Sequence, residues 1–425
     1  MQLARYTAPR GTADILPKES PKWQWVEAQF REKCRLYNYQ EIRTPTFEET
    51  DLFARSIGEH TDIVSKEMYT FTDRSGRSLT LRPEGTAPVV RAYLQHNLAS
   101  EQPVRKLYYI TSIFRYERPQ AGRYREHHQV GIEAIGSADP AIDAEVISLG
   151  MDYLTSLGIG GLELKINSVG CPNCRPRYRE SLKESVKPYL AELCESCRIR
   201  YDANPLRMLD CKVPGCRELT VNVPSLIDYL CDECSAHLAS VLKYLDLAGI
   251  KYTLDPRLVR GFDYYTKTAF EVQSSRLGAQ SAVLGGGRYD GLVEEMGGAK
   301  TPAVGFGSGI ERTLAIMEAE GVQFPPACHP RVFIVTLGDA PRAAGVQLLL
   351  ELRRLSVAAE MDYAGKSMKA QMRSADRSGA EIAVIIGDDE LAKGEVKTRN
   401  MQTREESAYP LPAAAQKIKE LICTE

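Results

Sequence analysis

Apolar residues recur along the chain with two periods, and the switches between them mark its divisions. After Ser20 and Pro21, residues Trp23, Val26, Phe30 and Tyr37 fall at helical spacing. They predict an amphipathic helix with Ser20 as its N-cap and Pro21 at its first position. Short runs rich in β-formers follow at 41–47 (EIRTPTF), 67–73 (EMYTFTD) and 77–83 (RSLTLRP), the last two joined by a polar turn ending in Gly76. Residues 105–117 and 126–136 predict a longer strand pair around a polar loop, 118–125, that holds Pro119 and Gly122. Strands linked mainly by hairpins build an antiparallel sheet. A further strand is expected at 161–168 and strand-like sequence returns at 264–273, so 170–255 reads as an insertion into the sheet domain. Beyond Phe324-Pro325-Pro326 the order becomes strand, helix near 340–355, strand, helix near 366–379, strand. That alternation predicts a separate α/β domain with a largely parallel sheet.

Composition narrows the class without changing this picture. A length of 425 residues fits two or three domains, and 26% charged with 43% hydrophobic residues is ordinary for a globular chain. A net charge of -2 argues against a sequence-blind nucleic-acid binder, which needs excess basic charge to displace counterions from phosphates. Any nucleic-acid contact must then use local patches. No apolar run suits a signal peptide or a membrane span, so a cytoplasmic protein is expected. Eight of the 11 cysteines lie between 171 and 234, apart from Cys34, Cys328 and Cys423. In a reducing compartment such clustering points to metal before disulfides.

The densest chemistry sits in FRYERPQAGRYREHHQVGIE, 114–133. It places Arg115, Glu117, Arg118, Arg123, Arg125, Glu126, Gln129 and Glu133 on two strands and their loop. Arg115 and Glu117 would share one strand face, and Gln129 and Glu133 one face of the partner. Arginines there could hold phosphates while carboxylates bind a cationic group; a solvated hairpin laced with ion pairs is the alternative. LGGGRYDGL at 284–292 lets a backbone approach something small. AVGFGSGIERTLAIME at 303–318 sets Gly305, Gly307 and Gly309 ahead of a helix carrying Glu311 and Arg312. Helix N-termini attract anions, but glycine-rich turns before helices also serve purely structural ends, and the lysine of a P-loop is missing.

In the insertion, Cys171/Cys174, Cys194/Cys197, Cys211/Cys216 and Cys231/Cys234 are separated by two or four residues within each pair, a zinc-type pattern. The first four could make one site and the last four another, and interleaved pairing is equally permitted.

PTFEETDLF, TLRPEGTAP, the 114–133 stretch, LVRGFDYYTKTAFE, LGGGRYDG and VGFGSGIERTLA, in this order, resemble the class II motifs and histidine-specific signatures of the histidyl-tRNA synthetases. The resemblance implies an α+β fold: a class II antiparallel-sheet catalytic domain (1–169 and 256–325), a cysteine-rich, mostly helical insertion (170–255) and an α/β anticodon-binding domain (331–425). It implies ATP, L-histidine and tRNA(His) as substrates, magnesium supporting the departing pyrophosphate, and a homodimer formed through the segment around Pro45. By similarity, Arg115, Arg312 and Arg123 would hold ATP phosphates, and Glu117 would contact adenine or a magnesium-bound water. His127 stands where the family usually stacks Phe on adenine. Glu84, Gly85, Thr86 and Gln129 would hold the amino group of histidine, and Glu133 and Tyr265, with Tyr264 beside them, its imidazole. Arg260 resembles the catalytic arginine; a salt bridge to Asp263 is its structural alternative. Any zinc would stabilise the insertion rather than enter the chemistry. Lys366, Lys369, Arg373 and Arg377 would share a helical face toward tRNA phosphates. A regulatory subunit of histidine biosynthesis derived from this family is the rival reading. Arg115, Arg260, Arg312 and residues 331–425, which such paralogues lose or degrade, are all present here.

Overall fold

The computed structural model describes residues 6–58, 61–117, 123–276, 282–326 and 329–423. It forms two compact units, Met1–Pro325 and Pro326–Glu425. Arg118, Pro119 and Gly122 of the expected loop, and Cys328, lie outside the described residues. In chain order the strands of the first unit are β1 Gln40–Glu41, β2 Phe47–Glu49, β3 Thr70–Thr72, β4 Ser78–Leu81, β5 Arg105–Phe114, β6 Glu126–Ile135, β7 Leu162–Ser168, β8 Tyr252–Leu254, β9 Thr266–Ser274, β10 Ala282–Arg288 and β11 Ala303–Gly309.

Eight of these make one sheet in the order β1-β5-β6-β11-β10-β9-β7-β8. It is antiparallel in its interior and parallel only at its two edges, β1 with β5 and β7 with β8. Strand alternation makes its faces unlike. In β6, Val130, Ile132 and Ala134 are buried in the main core together with Leu284 and Phe306 of the neighbouring strands. Helices Ser20–Leu36, Pro140–Ser156, Asp232–Leu247 and Ile310–Ala319 close this core from below, contributing Phe30, Tyr153, Val241, Leu245 and Ile310 among others. Asp139 caps the second of these helices through Ala141 N–H at 2.9 Å, a bond worth about 1 kcal/mol. The other face is covered in part by a second core, in which Val89, Val90 and Tyr93 meet Leu107, Tyr109 and Ile135, and beside it carries His127, Gln129, Gly131 and Glu133.

Several local readings differ from the structure. Ser20 is the first helical residue rather than the N-cap, its hydroxyl bonding back to the Leu16 carbonyl at 3.1 Å. The run 41–47 is not continuous strand, because Arg82 Nη1 takes the Thr44 and Pro45 carbonyls at 3.0 and 3.1 Å and turns them from any ladder. AVGFGSG, read as a turn, is strand β11.

The stretch 170–255 is mainly helical, with helices Arg175–Val186, Glu195–Ala203, Pro214–Leu219 and Asp232–Leu247. Tyr178, Leu182, Met208 and Leu226 pack with Cys197 and Cys216 into a small core of its own. Its tail belongs to the sheet: Val241 and Leu245 enter the main core and β8 pairs with β7. His237 also reaches Asp143 at 3.3 Å, and Arg288 pairs with the same carboxylate, both members of that pair fully buried. Such a buried charge pair is retained only because each partner satisfies the other.

In the second unit, β12 Val332–Thr336, β13 Ala359–Met361, β14 Ile382–Ile386, β15 Glu395–Asn400 and β16 Glu406–Pro410 run in the order β13-β12-β14-β15-β16. The first three are parallel as expected, and the last two add an antiparallel hairpin. That hairpin is half exposed and rich in charge, so it lacks a strand's apolar signature. The helix here spans Met368–Ser378, so Lys366 precedes it. Lys369, Arg373 and Arg377 are exposed, while Gln371 and Ala375 face inward.

Candidate active site

Beside its core, the second face of the sheet is nearly bare backbone. Gly131 of β6 lies opposite Gly307 of β11, which pairs with Gly285 of β10, and Gly305 pairs with Gly287. A Cβ at Gly305 would strike the Glu133 carboxylate, one at Gly307 the Gln129 amide, one at Gly285 the Arg260 guanidinium and one at Gly131 the Tyr109 ring. These glycines therefore clear the space in which the side chains of neighbouring elements lie flat.

Over this floor open two adjoining hollows that share Arg115, Gln129, Arg260, Gly285 and Gly307. The first, of about 220 Å³, is lined by Arg115, Glu117, Arg123, His127 and Arg312. Arg115 Nε is held by the Pro83 carbonyl at 2.8 Å, Arg312 Nη1 by the Ala282 carbonyl at 2.9 Å, and Arg123 lies 3.2 Å from Glu117. Arg115 and Glu117 do not share a strand face as expected. β5 ends at Phe114, and a tight turn, with Glu117 N–H on the Arg115 carbonyl at 2.7 Å, brings both to the hollow. Burial, helped by the Arg115 charge, lowers His127 to about 3, so its imidazole is neutral and able to stack. The next residue, His128, points to the opposite face, where its ring lies 2.9 Å from Glu311 and edge-on to Trp23.

The second hollow, of about 210 Å³, is lined by Glu84, Thr86, Glu133, Tyr264 and Tyr265. Glu84 accepts from the Thr86 and Ala87 amides at 2.7 Å each, closing the start of helix Thr86–Gln95. Gly85 does not line it; the missing side chain admits the Tyr109 ring. Thr86 Oγ1 donates to one Glu133 oxygen at 2.8 Å and the Tyr289 hydroxyl to the other. Burial nevertheless pushes Glu133 up to about 8. Arg260 bridges the hollows. Its Nη1 donates to Glu271 at 2.8 Å, while its Nε is buried without a hydrogen-bond partner. The pairing with Asp263 is not formed; Asp263 accepts from Asn204 at 2.7 Å instead.

Tyr109, Tyr289 and Glu271 join the site beyond the residues that its motifs single out. Tyr289 was accessible in principle, since it follows Gly285 and Gly287 at strand period in LGGGRYDG. Tyr109 reaches the site only through register, opposite Gly131.

The eight cysteines form two groups, Cys171/Cys174/Cys231/Cys234 and Cys194/Cys197/Cys211/Cys216, each with all sulfurs within 4.8 Å of one another. The outer pairs thus combine and the inner pairs combine, in place of the first four and last four. Sulfur separations of 3.7, 3.8 and 3.9 Å in the outer group match the edge of a tetrahedron with arms of about 2.3 Å, as in zinc–thiolate sites. Amide donors at 3.2 Å support Cys174 and Cys216 Sγ.

Sheet, arginine-walled hollow and carboxylate-tyrosine hollow together define a class II aminoacyl-tRNA synthetase. Residues 11–173 and 217–313 match the family described as Histidyl-tRNA synthetase, and 331–421 match the Anticodon binding domain. The chain is 53% identical to the histidine–tRNA ligase of Caldanaerobacter subterraneus subsp. tengcongensis over 412 residues, covering 97% of this chain and 99% of that one. It is 53% identical to that of Pelotomaculum thermopropionicum over 417 residues, 98% of each. The crystal structure of apo S. aureus histidyl-tRNA synthetase superposes with a TM-score of 0.83 at 41% identity, covering 97% of this chain and 99% of that one. The chain belongs to the histidyl-tRNA synthetase family.

Proposed function

We propose that the two hollows hold the two substrates of histidine activation, ATP against Arg115, Arg123, His127 and Arg312, and L-histidine against Glu84, Thr86, Gln129, Glu133, Tyr264 and Tyr265. The observation that carries this reading is Arg260, which lines both hollows with a buried Nε left to donate. A histidine carboxylate oxygen attacks the α-phosphorus of ATP, the bond to pyrophosphate breaks, and Arg260 offsets the charge gathering on the phosphoryl oxygens. The ribose hydroxyl at the 3′ end of tRNA(His) then attacks the histidyl carbonyl and AMP leaves. Magnesium, when bound, neutralises pyrophosphate; Glu117 is the carboxylate of that hollow suited to meet its water shell.

The test is exchange of pyrophosphate into ATP with each amino acid in turn. Exchange with histidine alone is expected, and exchange with none, or with another, overturns the reading. The relatives' identity over nearly the whole chain favours catalysis over the regulatory alternative.

The state of Glu133 sets a pH dependence. An imidazole N–H needs an acceptor, and with the free-enzyme carboxyl at about 8 the carboxylate fraction grows as pH rises through that value. The kcat/KM for histidine should climb through pH about 8 and level above it, and Glu133→Gln should remove the climb from whatever activity remains. An identical profile in the variant would remove Glu133 from this role.

The proposal extends to zinc in the insertion, to a cytoplasmic location and to a homodimer through the segment around Pro45. A cavity of about 890 Å³ beside that segment, lined by Ile42, Pro45, Leu52, Leu94 and Met296, offers room for a partner's side chains. Light scattering should find twice the chain mass. Among the described residues no helix is long and apolar enough to cross a membrane.

A further inference from the structure

The outer cysteine group sits at the neck of the insertion. Cys171 follows the end of β7 and Cys231 opens helix Asp232–Leu247, so the group joins the two points where the chain leaves the sheet and returns. From there a short chain of contacts leads to the tyrosines of the second hollow. Arg175, next to Cys174, donates Nη2 to the Tyr265 carbonyl at 2.6 Å and Nε to the Val169 carbonyl at 3.2 Å. Val169 N–H donates to the Lys267 carbonyl at 2.7 Å, and Lys267 N–H to the Gly170 carbonyl at 2.8 Å. The Lys267 ammonium reaches Glu233, between Cys231 and Cys234, at 2.7 Å.

Lys267 itself has φ +49°, a left-handed conformation that lysine rarely adopts, and the β9–β10 register slips beside it. The turn that delivers Tyr264 and Tyr265 is therefore held in shape by the insertion neck as well as by its own ladder. A Cβ on Gly170 would lie 2.9 Å from Cys174 Sγ, so the neck passes directly against the thiol. Two helices begin at this group, Arg175–Val186 after Cys174 and Asp232–Leu247 after Cys231, and their N-termini offset thiolate charge.

We propose that Cys171, Cys174, Cys231 and Cys234 bind a tetrahedral divalent cation of the zinc class that clamps the insertion neck. Through the positioning residue Arg175, the clamp sets the Tyr264–Tyr265 edge of the histidine hollow, whereas the inner group staples only the insertion's tip. Each thiol that binds releases its proton to solvent. This rests on the assignment of the histidine hollow given above. The metal takes no part in the chemistry, so the expected signature lies in KM for histidine.

Elemental analysis of the full-length protein should find about two zinc ions per chain. The double variant Cys174→Ser/Cys234→Ser should lose one and raise KM for histidine at least about tenfold, with KM for ATP changed far less. Cys197→Ser/Cys211→Ser should lose the other, with a much smaller shift in KM for histidine. Arg175→Ala should keep both ions and reproduce the shift, and Arg175→Lys should restore part of it. Because Arg175→Ala leaves the ligands in place, it carries the test if the serine variants fail to fold. A metal-free wild-type protein overturns the metal assignment. A normal KM for histidine in Arg175→Ala, or in an outer variant that has lost its ion, overturns the clamp. Tyr265→Phe separates the two levels: if it leaves KM for histidine unmoved, the hollow itself is misassigned, while a raised KM beside a silent Arg175→Ala overturns the clamp alone.

Discussion

Replacing Arg260 by alanine is expected to lower histidine-dependent pyrophosphate exchange by about 10³-fold, the scale seen when one preorganised donor to a developing oxyanion is removed. The loss should fall on kcat and kcat/KM alike, because the interaction strengthens as charge builds on the α-phosphoryl oxygens. The fold should survive. Glu271 loses its guanidinium partner but keeps the Gln273 amide at 2.6 Å and remains partly exposed, so no buried charge is stranded. Single-turnover adenylate formation, with circular dichroism as the control, checks both halves; near-normal turnover would show that the charge is supplied elsewhere.

Gly285→Ala should cost activity by a different route, about 10²-fold in kcat from misplacing a group by roughly 1 Å. The three atoms nearest the added methyl all belong to the guanidinium of Arg260, with no backbone atom among them, so the strand accepts it and the arginine yields. Gly305→Ala makes the contrast, since its methyl would also strike the Ile132 carbonyl on the paired strand, and loss of soluble protein is expected there. Equal melting temperatures for wild type and Gly285→Ala, together with a fall in adenylate formation, are the result that supports the bare floor as a catalytic requirement. Full activity in Gly285→Ala would count against it.

The interior of the fold is legible where apolar residues alternate with polar or small ones along a strand. In β6, Glu126–Ile135, the apolar Val130, Ile132 and Ala134 alternate with Gln129, Gly131 and Glu133. In β15 the charges Glu395, Lys397 and Arg399 share one face with only Val396 and Thr398 buried opposite, and β16 buries no residue, so the alternation is too short and too polar to carry a hydrophobic signal. β11 failed for another reason: glycine is a poor strand former, so Gly305, Gly307 and Gly309 looked like a turn. The side chains laid across the strand explain two of them, the Glu133 carboxylate over Gly305 and the Gln129 amide over Gly307. Charged site residues stood out in sequence because a core would not hold them. Tyr109 and Glu271 did not, since both are placed by register and partner rather than by motif. Local spacing also made four cysteine pairs evident without saying which pairs meet. That depends on the path by which the insertion returns to the sheet.

The glycine floor bears on how the sequence can change. Strand residues alternate between faces, so a deletion of one residue within β11 would turn Phe306 up over the hollows and Gly305 and Gly307 down into the core. The same event would block the substrate and open a void beneath the sheet. Point substitutions that spare these glycines can be absorbed one at a time, but this strand's length and phase are shared by activity and stability. Changes in chain length should therefore collect in the loops and in the insertion and be excluded from β6, β10 and β11.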